Sequence, residues 1–290
     1  MRWLLLSVAV VGLSPVMAEV PTLINGRPAN PSDFPASVWT RSCSATVVGP
    51  RAVFIAAHCV SSGTISFSVG PTAYRGECLV SRAYSGNPTA DYAMCLTDKV
   101  VAGIPYERIN TDPALLRVGG EVLLSGYGCV RPGGSGGNDG VYRIGEARVS
   151  RLPSGSNNDI VTGNGAALCF GDSGGPAFLF TESGNSMTRA RVVISTNSRG
   201  DIATTSYLSS TSTAEGIRFF NAWAERTAQR ICGVHADAQG CRGDDGGGNE
   251  NPNFRIAHPV ADLNVTVKEP YRGEIDAVRK LLLDALDALR

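Results

Sequence analysis

Three shortages narrow the field before any motif is sought. Neither sign of charge is in surplus: Lys+Arg and Asp+Glu both number 26, so the formal net charge is zero. Without a one-signed field, nothing concentrates nucleic acid or anionic lipid at the surface, and neither is expected as a partner. Charged residues make up only 18% of the chain, which argues against disorder and coiled coil. Long apolar runs are also missing. The longest, Trp3 to Leu13, has eleven residues against the ~20 that span a bilayer, so no membrane span is expected. Histidine is scarce, with residues only at 58, 235 and 258, which leaves few groups to move protons near neutral pH.

Glycine, by contrast, is plentiful, at 34 of 290 residues, and favours short strands joined by many turns. The N-terminus pairs Arg2 and the short apolar run with a break at Ser14-Pro15 and a small-residue site at Val16-Met17-Ala18. Residues 1–18 therefore read as a signal peptide, and the protein is expected to be secreted or periplasmic. An even count of eight cysteines then points to disulfides. The one zinc-like spacing, Cys232, His235 and Cys241, lacks a fourth ligand, and neither metal nor cofactor is expected.

From about Leu23 to Val193, short β-branched or alternating runs such as Ala45 to Val48 and Ala52 to Ile55 are punctuated by turns such as Gly49-Pro50. The pattern is all-β. The glycine run 133–137 lacks the Gly-Lys-Ser/Thr ending of a phosphate loop and reads as a surface loop. Ser212 with Glu215 suggests a capping box, and Ile217, Phe220, Trp223 or Ala224, and Thr227 or Ala228 recur at helical spacing, so one helix closes the domain. Residues 242–253, rich in Gly, Asp and Asn, read as a linker to an extension, 254–290. Within it, Ile275, Val278, Leu282, Ala285 and Leu289 predict an amphipathic helix over 274–290. It is expected to pack on the domain or, alternatively, on a partner chain.

His58 is the candidate base, because the other two histidines lie at or beyond the end of the strand pattern. It ends the apolar strand Val53-Phe54-Ile55-Ala56-Ala57, beside Cys59. The second chemical segment is Gly171-Asp172-Ser173-Gly174-Gly175-Pro176. No packed strand or helix would choose these glycines around a serine, but a turn that lets substrate approach the backbone would. The N–H groups of Gly171 and Ser173 would then be free to meet an oxyanion.

Ala56-Ala57-His58-Cys59 together with Gly171 to Pro176 resembles the chymotrypsin-like (trypsin-fold) serine peptidase family. Leu23-Ile24-Asn25-Gly26 is similar to that family's activated N-terminus, Ser125-Gly126-Tyr127-Gly128 to its Gly-Trp-Gly strand, and Asp91-Tyr92-Ala93-Met94-Cys95-Leu96 to its Asp-x-Ala segment. The matches span roughly residues 23–231. The resemblance implies two antiparallel six-stranded β-barrels with a C-terminal helix in a domain at 23–241, and a cleft where His58, Asp91 and Ser173 form a catalytic triad. Asp98 and Asp112 compete with Asp91, but neither begins an alternating apolar strand. A serine endopeptidase acting on protein or peptide substrates is implied; an inactive homologue serving as a binding protein, or an esterase, is the alternative.

The resemblance further implies an oxyanion hole from Gly171 and Ser173, a specificity pocket with Ala167 at its floor and Ser195-Thr196-Asn197 on its wall, and a Cys43–Cys59 disulfide. The uncharged floor implies cleavage after apolar residues rather than Arg or Lys. Cys129 with Cys169, Cys78 with Cys95 and Cys232 with Cys241 would complete four bridges, although spacing alone leaves 105 arrangements. An activation pair is implied between the amino group of Leu23 and Asp172, after loss of a propeptide at 19–22.

Overall fold

The computed structural model describes residues 23–181, 190–236 and 238–242. The expected signal peptide, propeptide and C-terminal helix, and the linker beyond Arg242, lie outside these residues.

Two antiparallel barrels make up the domain. The two-residue strand β1 (Arg27–Pro28) pairs with the outside of the second barrel and precedes the first. The first barrel contains β2 (Ser37–Trp39), β3 (Ser44–Gly49), β4 (Ala52–Ile55), β5 (Thr64–Val69), β6 (Thr72–Val80) and β7 (Ala93–Thr97), in the order β2-β3-β4-β7-β6-β5. Its end strands lie against each other without a shared ladder, so the barrel is nearly closed. The second contains β8 (Glu121–Gly126), β9 (Arg143–Arg151), β10 (Asp159–Gly163), β11 (Pro176–Phe180), β12 (Arg191–Gly200) and β13 (Ser206–Ser210). Its order, β8-β9-β10-β13-β12-β11 with β11 returning to β8, closes the ring. The expected architecture is the observed one.

The strand patterns show which face meets what. β5 places Ile65 and Phe67 inside the barrel and Ser66 and Ser68 outside, the period-2 signature of one buried face. β4 is buried at every residue because each of its faces has a partner. Val53 and Ile55 fill the first barrel, while Ala52 and Phe54 point into a separate core that includes Phe34, Phe178, Phe220 and Trp223. That second core is the seam between the barrels. The helix α1 (Ala214–Thr227) caps it with Phe220, Trp223 and Ala224. Its N-cap is Thr213, whose hydroxyl accepts from the Gly216 N–H at 3.2 Å. Ser212 was the expected cap, but it is buried and tied to Ser210, so the boundary lies one residue later.

All four disulfides are present: Cys43–Cys59, Cys78–Cys95, Cys129–Cys169 and Cys232–Cys241. The last consumes both sulfurs of the zinc-like spacing. Arg242, the first residue of the expected linker, still belongs to the domain, since its N–H donates to the Tyr106 carbonyl at 2.7 Å.

A buried ion pair ties the seam. Arg191 and Glu107 have fully buried side chains and meet at 2.6 Å. The Arg191 guanidinium also lies 4.0 Å from the ring centre of Phe34 and donates to the Asp33 carbonyl at 2.7 Å. Arg242 Nε reaches the same carboxylate at 3.2 Å, so removing Glu107 takes the partner from two cations, one of them deep in the apolar seam. Glu107→Leu is therefore expected to destabilise the protein by about 3–5 kcal/mol, read as a lower denaturation midpoint, and Glu107→Leu with Arg191→Met to recover only the part that belongs to Arg191.

Candidate active site

β4 delivers the imidazole. Its chain leaves the first barrel at Ile55, extends through Ala56 and tightens into a 3-10 turn, Ala57–Cys59, that carries His58. The Cys43–Cys59 bridge anchors that turn to the start of β3, within 4.8 Å of a His58 ring nitrogen. Asp91 lies just before β7, whose pairing with β4 brings the two residues together. His58 Nδ1 and Asp91 Oδ2 are 2.7 Å apart, and the His58 backbone N–H donates to Asp91 Oδ1 at 3.0 Å. The carboxylate thus fixes both the ring and the main chain of the histidine. The Asp91 side chain is 2% exposed and the imidazole 32%, so only the histidine faces outward.

A third group completes the shell around Asp91. Ser198 Oγ donates to Asp91 Oδ2 at 2.6 Å. The ladder between β12 and β13 shifts between Asn197 and Arg199, which makes Ser198 the extra residue of a bulge, and a bulge re-aims a side chain that a regular strand would place elsewhere. The loop leading to Asp91 is tied to the second barrel as well, by Asn87 Nδ2 to the Ser156 carbonyl at 2.7 Å and by the Asn158 N–H to Thr89 Oγ1 at 2.9 Å.

Ser173 sits in a turn between Cys169 and β11 that the first barrel holds from outside. Ser44 of β3 donates its N–H to the Ser173 carbonyl and its hydroxyl to the Gly171 carbonyl, each at 2.8 Å, and accepts from the Tyr127 N–H at 3.0 Å. Glycine is required twice here. Gly171 has φ +99°, and a Cβ on Gly174 would lie 2.5 Å from the Ser44 carbonyl oxygen and 3.2 Å from the nitrogen of Ala56. The serine turn therefore packs against the strand end that carries His58. Among the described residues, neither the Gly171 nor the Ser173 N–H donates to a protein acceptor, and no hydrogen bond joins Ser173 Oγ to the imidazole. In free enzymes such contacts are often long and tighten only around substrate.

The pocket residues are placed differently from the expectation. Ser195 and Asn197 are fully buried. Asn197 Nδ2 donates to the carbonyls of Ser125 at 2.8 Å and Asp172 at 3.0 Å, so its side chain braces the serine turn and faces no open wall. Three residues further along β12 than Ser195, Ser198 is the residue that reaches Asp91. Sequence reasoning missed Ser198; its only signal was a serine followed by glycine two residues later near the end of a strand. Ala167 is also buried, clustered with Ile24, Cys129 and Cys169, with Ile202 packed against them.

Asp172 is the most unusual group. Its carboxylate is fully buried and accepts from the Gly128 N–H at 2.8 Å and the Cys169 N–H at 2.9 Å. Burial pushes the carboxyl up to about 7, against the pull of those two donors and of Arg143. Leu23 is buried in the second barrel's core, and the next residue, Ile24, accepts from the Ala167 N–H at 2.9 Å and packs with Cys169. No hydrogen bond joins Leu23 to Asp172, and the nitrogen of Leu23 is still in its peptide bond to Thr22.

The family model described as Trypsin matches residues 23–188. No curated protein is significantly similar to the chain.

The buried carboxyl gives the chain a pH signature. Unfolded, Asp172 ionises near pH ~3.9; folded, it stays protonated until about 7. Its folded value is the raised one, so the stability it contributes is full below the unfolded value and lost as pH rises through the folded value. Chemical denaturation of the chain retaining Thr22-Leu23 is expected to show stability falling between about pH 4 and 7, and Asp172→Asn to flatten that limb; an unchanged limb in the variant would assign it to another group.

Proposed function

Because the chain belongs to the trypsin family and is a trypsin-like serine protease, we propose that His58, Asp91 and Ser173 form its catalytic triad and that it is an active, secreted endopeptidase. The observation that carries this reading is the 2.7 Å contact between His58 Nδ1 and Asp91, beside a glycine-flanked serine turn packed on the histidine-bearing strand end. With Nδ1–H held by the carboxylate, Nε2 is the ring's free acceptor, the tautomer a base needs. Ser173 Oγ attacks the peptide carbonyl as Nε2 takes its proton. The same proton then goes to the leaving amine, and water, activated by the imidazole in turn, releases the acyl group. Asp91 steadies the imidazolium. The N–H groups of Gly171 and Ser173 bind the oxyanion, each worth roughly 10²–10³-fold in rate by analogy with other oxyanion holes.

The same reading assigns the buried Asp172 a partner. A new ammonium at Leu23, freed by loss of the signal peptide and residues 19–22, would supply the cation that the carboxylate lacks and hold the oxyanion turn. In a chain beginning at Leu23, the pH-dependent stability limb of the uncleaved form should therefore disappear. For the pocket, the wall is assigned to Ser198-Arg199-Gly200 and the floor to Ala167. Asp201 is an exposed residue whose carboxylate is taken up within its own turn by the N–H groups of Ala203, Thr204 and Thr205. A lysine or arginine entering would find no counter-ion, a penalty of several kcal/mol. Small to medium apolar residues are preferred.

The rival reading, an inactive binding protein, is separated by one experiment. A fluorophosphonate probe should label the mature protein at Ser173. Ser173→Ala and His58→Ala should each lower turnover by on the order of 10⁶, with the double variant little worse, and activity should fall in acid as the imidazole is protonated. A wild-type protein that resists the probe would favour the binding role. Specificity is checked with a peptide library, in which a profile dominated by Arg or Lys would reject Ala167 as the floor.

A further inference from the structure

Behind the catalytic carboxylate lies a charged pair that the triad does not use. Arg199, the residue after Ser198, places Nη2 on Asp159 Oδ2 of β10. Its Nη1 donates to Ser198 Oγ at 3.3 Å and to the Pro88 carbonyl at 3.5 Å, and the guanidinium lies 5.0 Å from the ring centre of Tyr207. One planar cation thus joins the second barrel, the bulged serine and the loop that leads to Asp91. Its side chain is 40% exposed, whereas that of Asp159 is 1% exposed. Asp159 Oδ1 is buried with no protein partner.

The geometry constrains two things at once. A hydroxyl has one proton, and Ser198 Oγ accepts from Arg199, so that proton is left for Asp91 Oδ2, 2.6 Å away. Charge is the second constraint. A bare cation beside Asp91 would oppose the positive charge that His58 acquires in every turnover, and a bare anion would favour it. The two charges of the pair nearly cancel.

The other charges around the pair leave this balance intact. Tyr84 and Tyr92 face Asp91 with hydroxyls that burial pushes up, so both are neutral, and the Tyr92 hydroxyl donates to the Ser210 carbonyl. Glu215 of α1 faces Tyr92 and is paired with Arg218 at 2.6 Å. Burial pushes the Asp159 carboxyl up, opposed by Arg199 and by Arg151 from β9.

We propose that Arg199 and Asp159 form a positioning unit for the active site: Arg199 directs the Ser198 proton onto Asp91, and Asp159 cancels the Arg199 charge so that the imidazolium formed at His58 is not opposed. This rests on the triad assignment above. Neither residue touches the reacting atoms.

The test is the pH dependence of Ser173 acylation by an activated p-nitrophenyl ester. Asp159→Asn bares the cation and is expected to move the acid limb to lower pH by about 0.5–1. Arg199→Met removes the cation and leaves a carboxyl that burial pushes further up, so it takes up a proton and the limb stays near wild type. The double variant, neutral as well, also stays near wild type. A downward shift that Arg199→Met reverses is the mark of charge, since a second loss of packing would not repair the first. An acid limb unmoved in Asp159→Asn or Asp159→Ser, or a shift that survives in the double variant, would overturn the pair's role. A wild-type protein that is not acylated at Ser173 at any pH would instead overturn the triad assignment.

Discussion

The Asp91 carboxylate sits where water cannot hydrate it, and much of the molecule is arranged to replace that water. A buried anion is tolerated only when its lone pairs are taken by donors. Here the donors come from both barrels: two from His58, whose turn belongs to the first, and one from Ser198 on a bulge of the second. Satisfying this one group therefore fixes the barrels against each other. It also explains why the loop before Asp91 is stitched to residues 156–158 across the seam.

The seam has its own chemistry, and it combines two kinds of attraction. Aromatic rings line it, with Phe54 set edge-on to Phe220 at 5.2 Å and Phe34 tilted against both Tyr142 and Phe178. Into that apolar layer runs Arg191, satisfied by Glu107 and by the faces of two rings. Apolar contact supplies cohesion, and a buried pair adds direction, because its hydrogen bonds are met in only one relative placement of the strands. Further out, Arg199 and Asp159 repeat the same arrangement beside Ser198 and Asp91.

How much of this was legible in the sequence follows from how local each requirement is. The turn around Ser173 and the strand end at His58 could be read because their constraints, positive φ at Gly171 and close approach at Gly174, act on adjacent residues and leave a run of defined types. The barrels were legible for the same reason, through period-2 runs broken by turns. Ser198 was not. Its role depends on a bulge in β12 and on the register of three strands, which no short window contains. The same bulge accounts for Ser195 and Asn197, read as pocket wall but buried behind the serine turn. Arg199 and Asp159, 40 residues apart in sequence, carried no mutual signal at all.

Ser44 has a consequence of another kind. A single residue of β3 grips the serine turn by its N–H and its hydroxyl, and β3 can do so only in one register, since a slip by one residue would turn that hydroxyl to the opposite face. Competence for chemistry is therefore a readout of completed folding. A nascent chain with only its first barrel has His58 without Ser173; one with a misaligned strand has both and no geometry. For the cell that makes a protease, a half-made copy has no assembled site, and closure of the last strands is a condition that any activity must first meet.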